Sequence, residues 1–171
     1  WNGQKFMNAS TTLQNTFVGI GAGTSTWVSG NTGFGHNALQ ANTTGSNNVA
    51  NGAFSLSRNV SGIDNTAVGA GSLGKNVGGG RNTAIGGYAL QYNTAATNTT
   101  AIGMWAANGD LTEYSNQGGV YLGYAAGYYA QTGSDYNTMV GYRAGSGVTT
   151  GARNLLLGYN AGYSGTNLTT G

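Results

Sequence analysis

In 171 residues the chain carries only six Lys/Arg and four Asp/Glu, 6% charged against an ordinary quarter, for a formal net charge of +2. So weak and scattered a charge leaves no electrostatic footprint for nucleic acid or an anionic membrane surface, and no apolar run reaches membrane-spanning length. The absence of Cys excludes disulfide stapling and thiol chemistry. With 33 Gly and no Pro the chain would read as a low-complexity linker, unless its 39% hydrophobic residues recur at a fixed period.

They do recur. Taking the Asn of Asn65-Thr66-Ala67-Val68-Gly69 as position 1, copies start at residues 15, 31, 48, 65, 82, 99, 119, 137 and 154. The steps are 16, 17, 17, 17, 17, 20, 18 and 17. Such a period is the signature of a stacked repeat architecture. Helix is excluded, because no 3.6-residue pattern persists and Gly returns every few residues. Along the chain each copy reads as a short strand such as 65–68, a Gly corner, a second short strand such as 70–73, and a polar return such as 74–81. The fold expected is therefore all-β, a parallel β-solenoid of about ten coils with a 17-residue repeat. Residues 1–171 form a single array. Both ends read as cut from a longer array or as filament-subunit ends, with no cap at either.

The columns carry the physical content. Position 5 is Gly throughout: Gly19, Gly35, Gly52, Gly69, Gly86, Gly103, Gly123, Gly141 and Gly158. An unbroken Gly column predicts positive φ or no room for a Cβ. Position 4 holds Val18, Phe34, Val68, Ile85, Ile102, Leu122, Val140 and Leu157, interrupted by Asn51, and is expected to point into the core. Position 8 is always Ala or Ser, and position 9 changes from Leu in the middle copies to Gly in the last three. Asn15, Asn31, Asn48, Asn65, Asn82, Asn137 and Asn154 at position 1 predict a side-chain ladder, and Asn42, Asn59, Asn76 and Asn93 a second one. Absence of Pro agrees with coils paired on both sides, where a missing N–H breaks a ladder.

Enzyme chemistry is nearly absent. His36 is the only His, in a column that tolerates any residue, and reads as a surface group without a zinc partner. Asp64 and Asp135 lie about four coils, roughly 19 Å, apart, too far for a glycosidase pair. Asp110 and Glu113, in the 20-residue step, are thin support for a calcium site. The Gly-rich stretches lack the helix and lysine of a phosphate loop. No catalytic, cofactor or metal site is expected. Sequons at Asn8, Asn42, Asn59, Asn98 and Asn167 are compatible with surface glycosylation. The residues that stand out for recognition or for an interface are Trp105, Tyr114, Tyr124, Tyr142 and Tyr159, the last three predicting an aromatic ladder at position 6.

The cores Asn65-Thr66-Ala67-Val68-Gly69 and Asn82-Thr83-Ala84-Ile85-Gly86 resemble the head repeats of trimeric autotransporter adhesins. They are more similar still to the Asn/Gly-rich NTAIG repeats of phage tail fibres and large bacterial surface proteins. The resemblance runs from Asn15 onward and implies a left-handed parallel β-roll, commonly trimeric, on a cell surface or a virion. The period departs from the shorter one of the adhesin heads. The expectation is a non-enzymatic structural segment of an extracellular or virion fibre that associates with itself as a homotrimer or filament. One alternative is an adhesin module reading a cell-surface glycan or receptor through the Tyr-rich half. A second is an ice-binding solenoid, from the Thr row at position 2 (Thr16, Thr32, Thr66, Thr83, Thr100, Thr138).

Overall fold

The computed structural model describes residues 7–10, 13–26, 28–109 and 111–163. Asp110 and the sequon at Asn167 lie outside them, and so do the side chain of Asn8 and the first and last residues. Strands β1 (Met7–Ser10), β2 (Asn15–Val18), β3 (Thr32–Phe34), β4 (Val49–Asn51) and β5 (Thr66–Val68) are followed by β6 (Thr83–Ile85), β7 (Thr100–Ile102), β8 (Val120–Leu122), β9 (Thr138–Val140) and β10 (Leu155–Leu157). All ten form one sheet in chain order, and β2 to β10 are parallel to one another. Register is strict: Thr66, Ala67 and Val68 lie beside Thr83, Ala84 and Ile85, which lie beside Thr100, Ala101 and Ile102. The chain is a β-solenoid of about 8 turns with a repeat of ~17 residues.

The N-terminal edge departs from the expected open array. β1 runs antiparallel to β2, Met7 opposite Val18 and Ser10 opposite Asn15, so a strand covers the first coil's edge. Within each coil there is one strand, not two. The segment expected as a second strand is instead a run of overlapping turns, Ala38 N–H to Gly35 O, Gln40 N–H to Asn37 O and Asn42 N–H to Leu39 O, each 3.3 Å. It is made by left-handed backbone at positions 7 and 9, as at Asn37 (φ 57°) and Leu39 (φ 53°) or Gly71 (φ 66°) and Leu73 (φ 49°). The alternation aims successive N–H groups up and down the axis: Asn37 donates to Ile20 O of the preceding coil at 2.9 Å, Leu39 to Ser55 O of the next at 3.1 Å. A left-handed non-Gly residue costs about 1–2 kcal/mol, and a hydrogen bond returns about 1 kcal/mol net. The turn ribbon therefore persists only because neighbouring coils hold it.

At position 5 neither substitution nor relaxation is open. Its φ lies near 130° in the interior coils, 128° at Gly69 and 129° at Gly86, and a Cβ on Gly86 would sit 2.6 Å from the backbone of Gly103. Positions 7 and 9 share the positive φ, but a Cβ there meets side chains and not the next coil's backbone (the Tyr88 ring at 2.7 Å for Gly71), so with other neighbours Tyr88 and Leu90 are accepted there. The Gly column is set by coil-to-coil contact, and both causes expected for it are present.

The core column is the main correction. Position 4 points outward: Phe34 is 41% exposed, Ile85 38%, Ile102 40% and Leu157 60%, and Val18, Val68, Leu122 and Val140 are half-exposed. Position 3 faces the interior instead, with Ala50, Ala67, Ala84, Ala101, Tyr121 and Met139 fully buried. Side chains alternate along a strand, so only one of two adjacent columns can enter. The lumen is narrow, and the Leu at position 9 fills it from the opposite wall. Leu56, Leu73 and Leu90 are fully buried beside Ala50, Ala67 and Ala84. Where position 3 is large, position 9 is Gly: a Cβ on Gly127 would lie 2.4 Å from the Tyr121 ring, one on Gly145 2.1 Å from Met139 Sδ, and one on Gly23 2.4 Å from the Phe17 ring. The two columns exchange volume along the axis, as close packing requires.

Both Asn ladders form inside the coils. Asn48 Nδ2 donates to Asn31 Oδ1 at 3.2 Å, Asn65 to Asn48 at 3.1 Å and Asn82 to Asn65 at 2.9 Å, and each Oδ1 also accepts the next Asn backbone N–H. Asn15 accepts the Asn31 backbone N–H, and Asn154 pairs with Asn137 at 3.0 Å. In the second ladder Asn59 donates to Asn42 at 2.8 Å and Asn76 to Asn59 at 2.7 Å, and there it stops: Asn76 Oδ1 has no partner, and Asn93, expected as the next rung, donates to Asn116 instead. Asn42 and Asn59 are thus wholly buried, which removes them as glycan acceptors, whereas Asn98 is exposed.

Adjacent glycines separate these causes. Gly86→Ala should lower the unfolding free energy by more than the ~1–2 kcal/mol of backbone strain alone, because two coils must part. Gly87→Ala, whose Cβ would meet nothing within 4 Å, should stay within about 0.5 kcal/mol of the parent. Urea melts followed by circular dichroism measure both.

Candidate functional site

Two surfaces stand out. The first is the outer face of the parallel sheet, where the strand alternation lays positions 2 and 4 side by side. It presents Thr16, Thr32, Thr66, Thr83, Thr100 and Thr138 in one row and the position-4 aliphatics in the next, with no charged residue in either row. At ~4.8 Å per coil the nine parallel strands make a strip about 38 Å long and about 10 Å wide, on the order of 400 Å². That matches the largest apolar patch of an ordinary monomer, roughly 300–600 Å², and about half of it is the Thr row. Asn51 is the single strongly polar member of the aliphatic row.

The second surface lies on the turn ribbon of the last coils. Tyr124, Tyr142 and Tyr159 stack as expected, with centroids 5.1 and 5.4 Å apart and planes within 10° and 12°. In-register coils impose this spacing on any repeated ring. Trp105 leans on Tyr124 at 5.5 Å and meets Tyr128 at 6.3 Å, and Tyr128 stands edge-on to Tyr129 at 4.9 Å. These rings border a concavity of about 200 Å³ that also touches Ala125, Arg143, Ser146 and Tyr163. Trp105 and Tyr124 thus share a site, Tyr142 and Tyr159 extend the ladder beyond it, and Tyr114 takes no part. Tyr114 is buried, its hydroxyl donating to Ala107 O.

Tyr114 belongs to the longer 99–118 copy, where Leu at position 9 is replaced by Ala107 and the Tyr ring packs against the backbone of Gly109. Glu113 beside it reaches outward to Arg58 at 3.1 Å and Lys75 at 3.9 Å. These exposed pairs contribute little stability, but they employ the acid that a calcium site would need. Among the described residues no cluster of three or more His, Cys, Asp or Glu forms a metal site. His36 is exposed, edge-on to the Phe54 ring at 5.0 Å.

With the fold and its ladders in place, the class of protein is defined: this is a β-solenoid repeat protein. No family model, no curated protein and no solved structure matches the chain.

Burial sets the acid–base behaviour of the interior tyrosines. Tyr121 is pushed from the ordinary 10.0 up to about 12 by desolvation, and Tyr114 is raised for the same reason. The neutral Tyr121 hydroxyl donates to Ser134 O at 3.2 Å and accepts from Asn116 Nδ2 at 2.9 Å. A raised folded pKa means that the unfolded chain ionises first. Stability from this group is intact below pH 10 and drains away between pH 10 and about 12, by roughly 2–3 kcal/mol. Thermal melts should show a fall in Tm over that window that is shallower in Tyr121→Phe, whose baseline is lower by about 1–3 kcal/mol from the partners left unpaired.

Proposed function

We propose that the chain is a structural β-solenoid segment of a fibre, outside a cell or on a virion, whose copies associate side by side through the outer sheet face, with no catalytic role. The observation that carries this reading is the charge-free row of Phe34, Val68, Ile85, Ile102, Leu122 and Val140 left on the outside while the lumen is filled by Ala and Leu. A thin core with its larger aliphatics outside is stabilised further by burying that row. A second copy of the same face is a matching occupant, because two uncharged strips meet without like-charge repulsion. Two faces together bury about 800 Å², below the ~1,000 Å² of a stable specific interface and in the range of weak, transient ones. Association therefore strengthens with the number of coils in register. The likeness to adhesin and tail-fibre repeats supports the fibre setting.

Sedimentation velocity at micromolar concentration tests this. The parent chain should sediment as an oligomer and Ile85→Lys/Ile102→Lys as a monomer with an unchanged circular dichroism spectrum, since Asn51 shows that the column accepts a polar residue. A parent chain that stays monomeric overturns the reading.

A second reading draws on the same face. Its outward Thr row beside an aliphatic row, repeated at ~4.8 Å on a parallel sheet, is a regular array of hydroxyl and methyl groups of the kind that could order water into an ice plane. Thermal hysteresis lost in Thr83→Tyr would favour it, and an absence of hysteresis removes it.

A further inference from the structure

The concavity on the turn ribbon has a specific construction. Down position 7 the residues run Tyr88, Trp105, Ala125, Arg143, and down position 10 they run Asn108, Tyr128, Ser146, Tyr163. In each column one small residue stands between two large ones, and the two gaps lie in adjacent coils. The result is a notch floored by Ala125 and Ser146, with walls two coil steps, about 10 Å, apart. A repeat array grows such a notch only where small residues interrupt two neighbouring columns together.

Its chemistry is not that of simple packing. The aromatic walls stand at steep angles, 59° for Trp105 with Tyr124 and 76° for Trp105 with Tyr128, so they form sides rather than a closed stack. Arg143 is the one charged residue lining the notch, and its guanidinium lies over the Tyr163 ring at 5.3 Å. A guanidinium held by its face keeps its edge donors for a carboxylate. On the floor, Ser146 is 2% exposed and its Oγ has no hydrogen-bond partner. A buried hydroxyl left without a partner is uncommon and costs about 1–3 kcal/mol.

We propose that this notch binds a single pyranose ring bearing a carboxylate, a uronic or other acidic sugar. Apolar C–H faces of the ring lie against Trp105 and Tyr128, the carboxylate accepts from Arg143, and a ring hydroxyl pairs with Ser146 Oγ. A purely apolar ligand would leave Arg143 and Ser146 unpaired. A free phosphate would make no use of the aromatic walls. The site is built from the turn ribbon and not from the strands, so it is independent of assembly through the sheet face.

The test is a titration of the full chain with methyl glucuronide, methyl glucoside and uridine monophosphate, read by ligand-observed NMR and Trp fluorescence. Methyl glucuronide should bind at least ~10-fold more tightly than methyl glucoside, the equivalent of one charge-assisted hydrogen bond. Arg143→Gln should abolish that difference. Ala125→Tyr, which places at position 7 the residue that Tyr88 already shows to be accepted there, should abolish binding of both sugars. No response to methyl glucuronide at tens of millimolar, equal affinity for both sugars, tighter binding of the nucleotide, or binding unchanged in a folded Ala125→Tyr protein would each overturn the proposal. Should Ala125→Tyr not fold, the comparison of the two sugars on the parent and on Arg143→Gln still decides.

Discussion

Backbone pairing from coil to coil is the interaction on which everything else in this molecule rests. Each strand is only three or four residues long, far too short to hold a partner alone, and the turn ribbon between strands uses left-handed backbone that L-residues resist. Both become stable because the same N–H and C=O groups meet their counterparts in the next coil all the way round. The spacing this enforces leaves the position-5 glycines with no volume for a Cβ: above Gly103 the first atom such a group would meet is Gly123 O, at 2.3 Å. It also brings identical amides into hydrogen-bonding distance, so that Asn can replace water in a lumen too narrow to hold a conventional core.

That narrow lumen explains the distribution of apolar residues. Ala on the strand wall and Leu on the turn wall fill it in the middle coils, and Phe17, Tyr121 and Met139 fill it from the strand side where the turn wall supplies Gly. Either solution uses up the available volume, so the remaining aliphatics stay outside as a row. A repeat that cannot enclose more apolar surface in one chain has a physical motive to share that surface with another. The low charge density of the sequence would handicap an isolated rod in solution.

Irregularities in the array are where chemistry collects. The longer copy places Tyr114 inside and Glu113 outside, bridging coils through Arg58 and Lys75. Beyond it the turn columns become aromatic, and the gaps at Ala125 and Ser146 open a notch that a perfectly regular array would not contain. The outer strand face is regular, and the notch lies on the turn ribbon.

Much of this was legible in the sequence. The period, the parallel stacking, the glycine column, the Asn ladders and the Tyr124–Tyr142–Tyr159 stack follow from a requirement repeated at every coil, and repetition makes a requirement visible as a column. Which wall faced inward was not legible. Val, Ile and Leu at position 4 are more hydrophobic than Ala at position 3, and hydrophobicity alone points the wrong column into the core. The outcome depends on how much space position 9 leaves across the lumen, a contact between residues six apart in sequence whose volumes trade against each other. The second strand was likewise misread because positive φ at residues such as Leu73 and Tyr88 has no local signature when the residue is not Gly. The notch was hidden for the same reason. Small residues at Ala125 and Ser146 become a site only when stacking sets their columns side by side, and adjacency between columns is a property of the assembled coils.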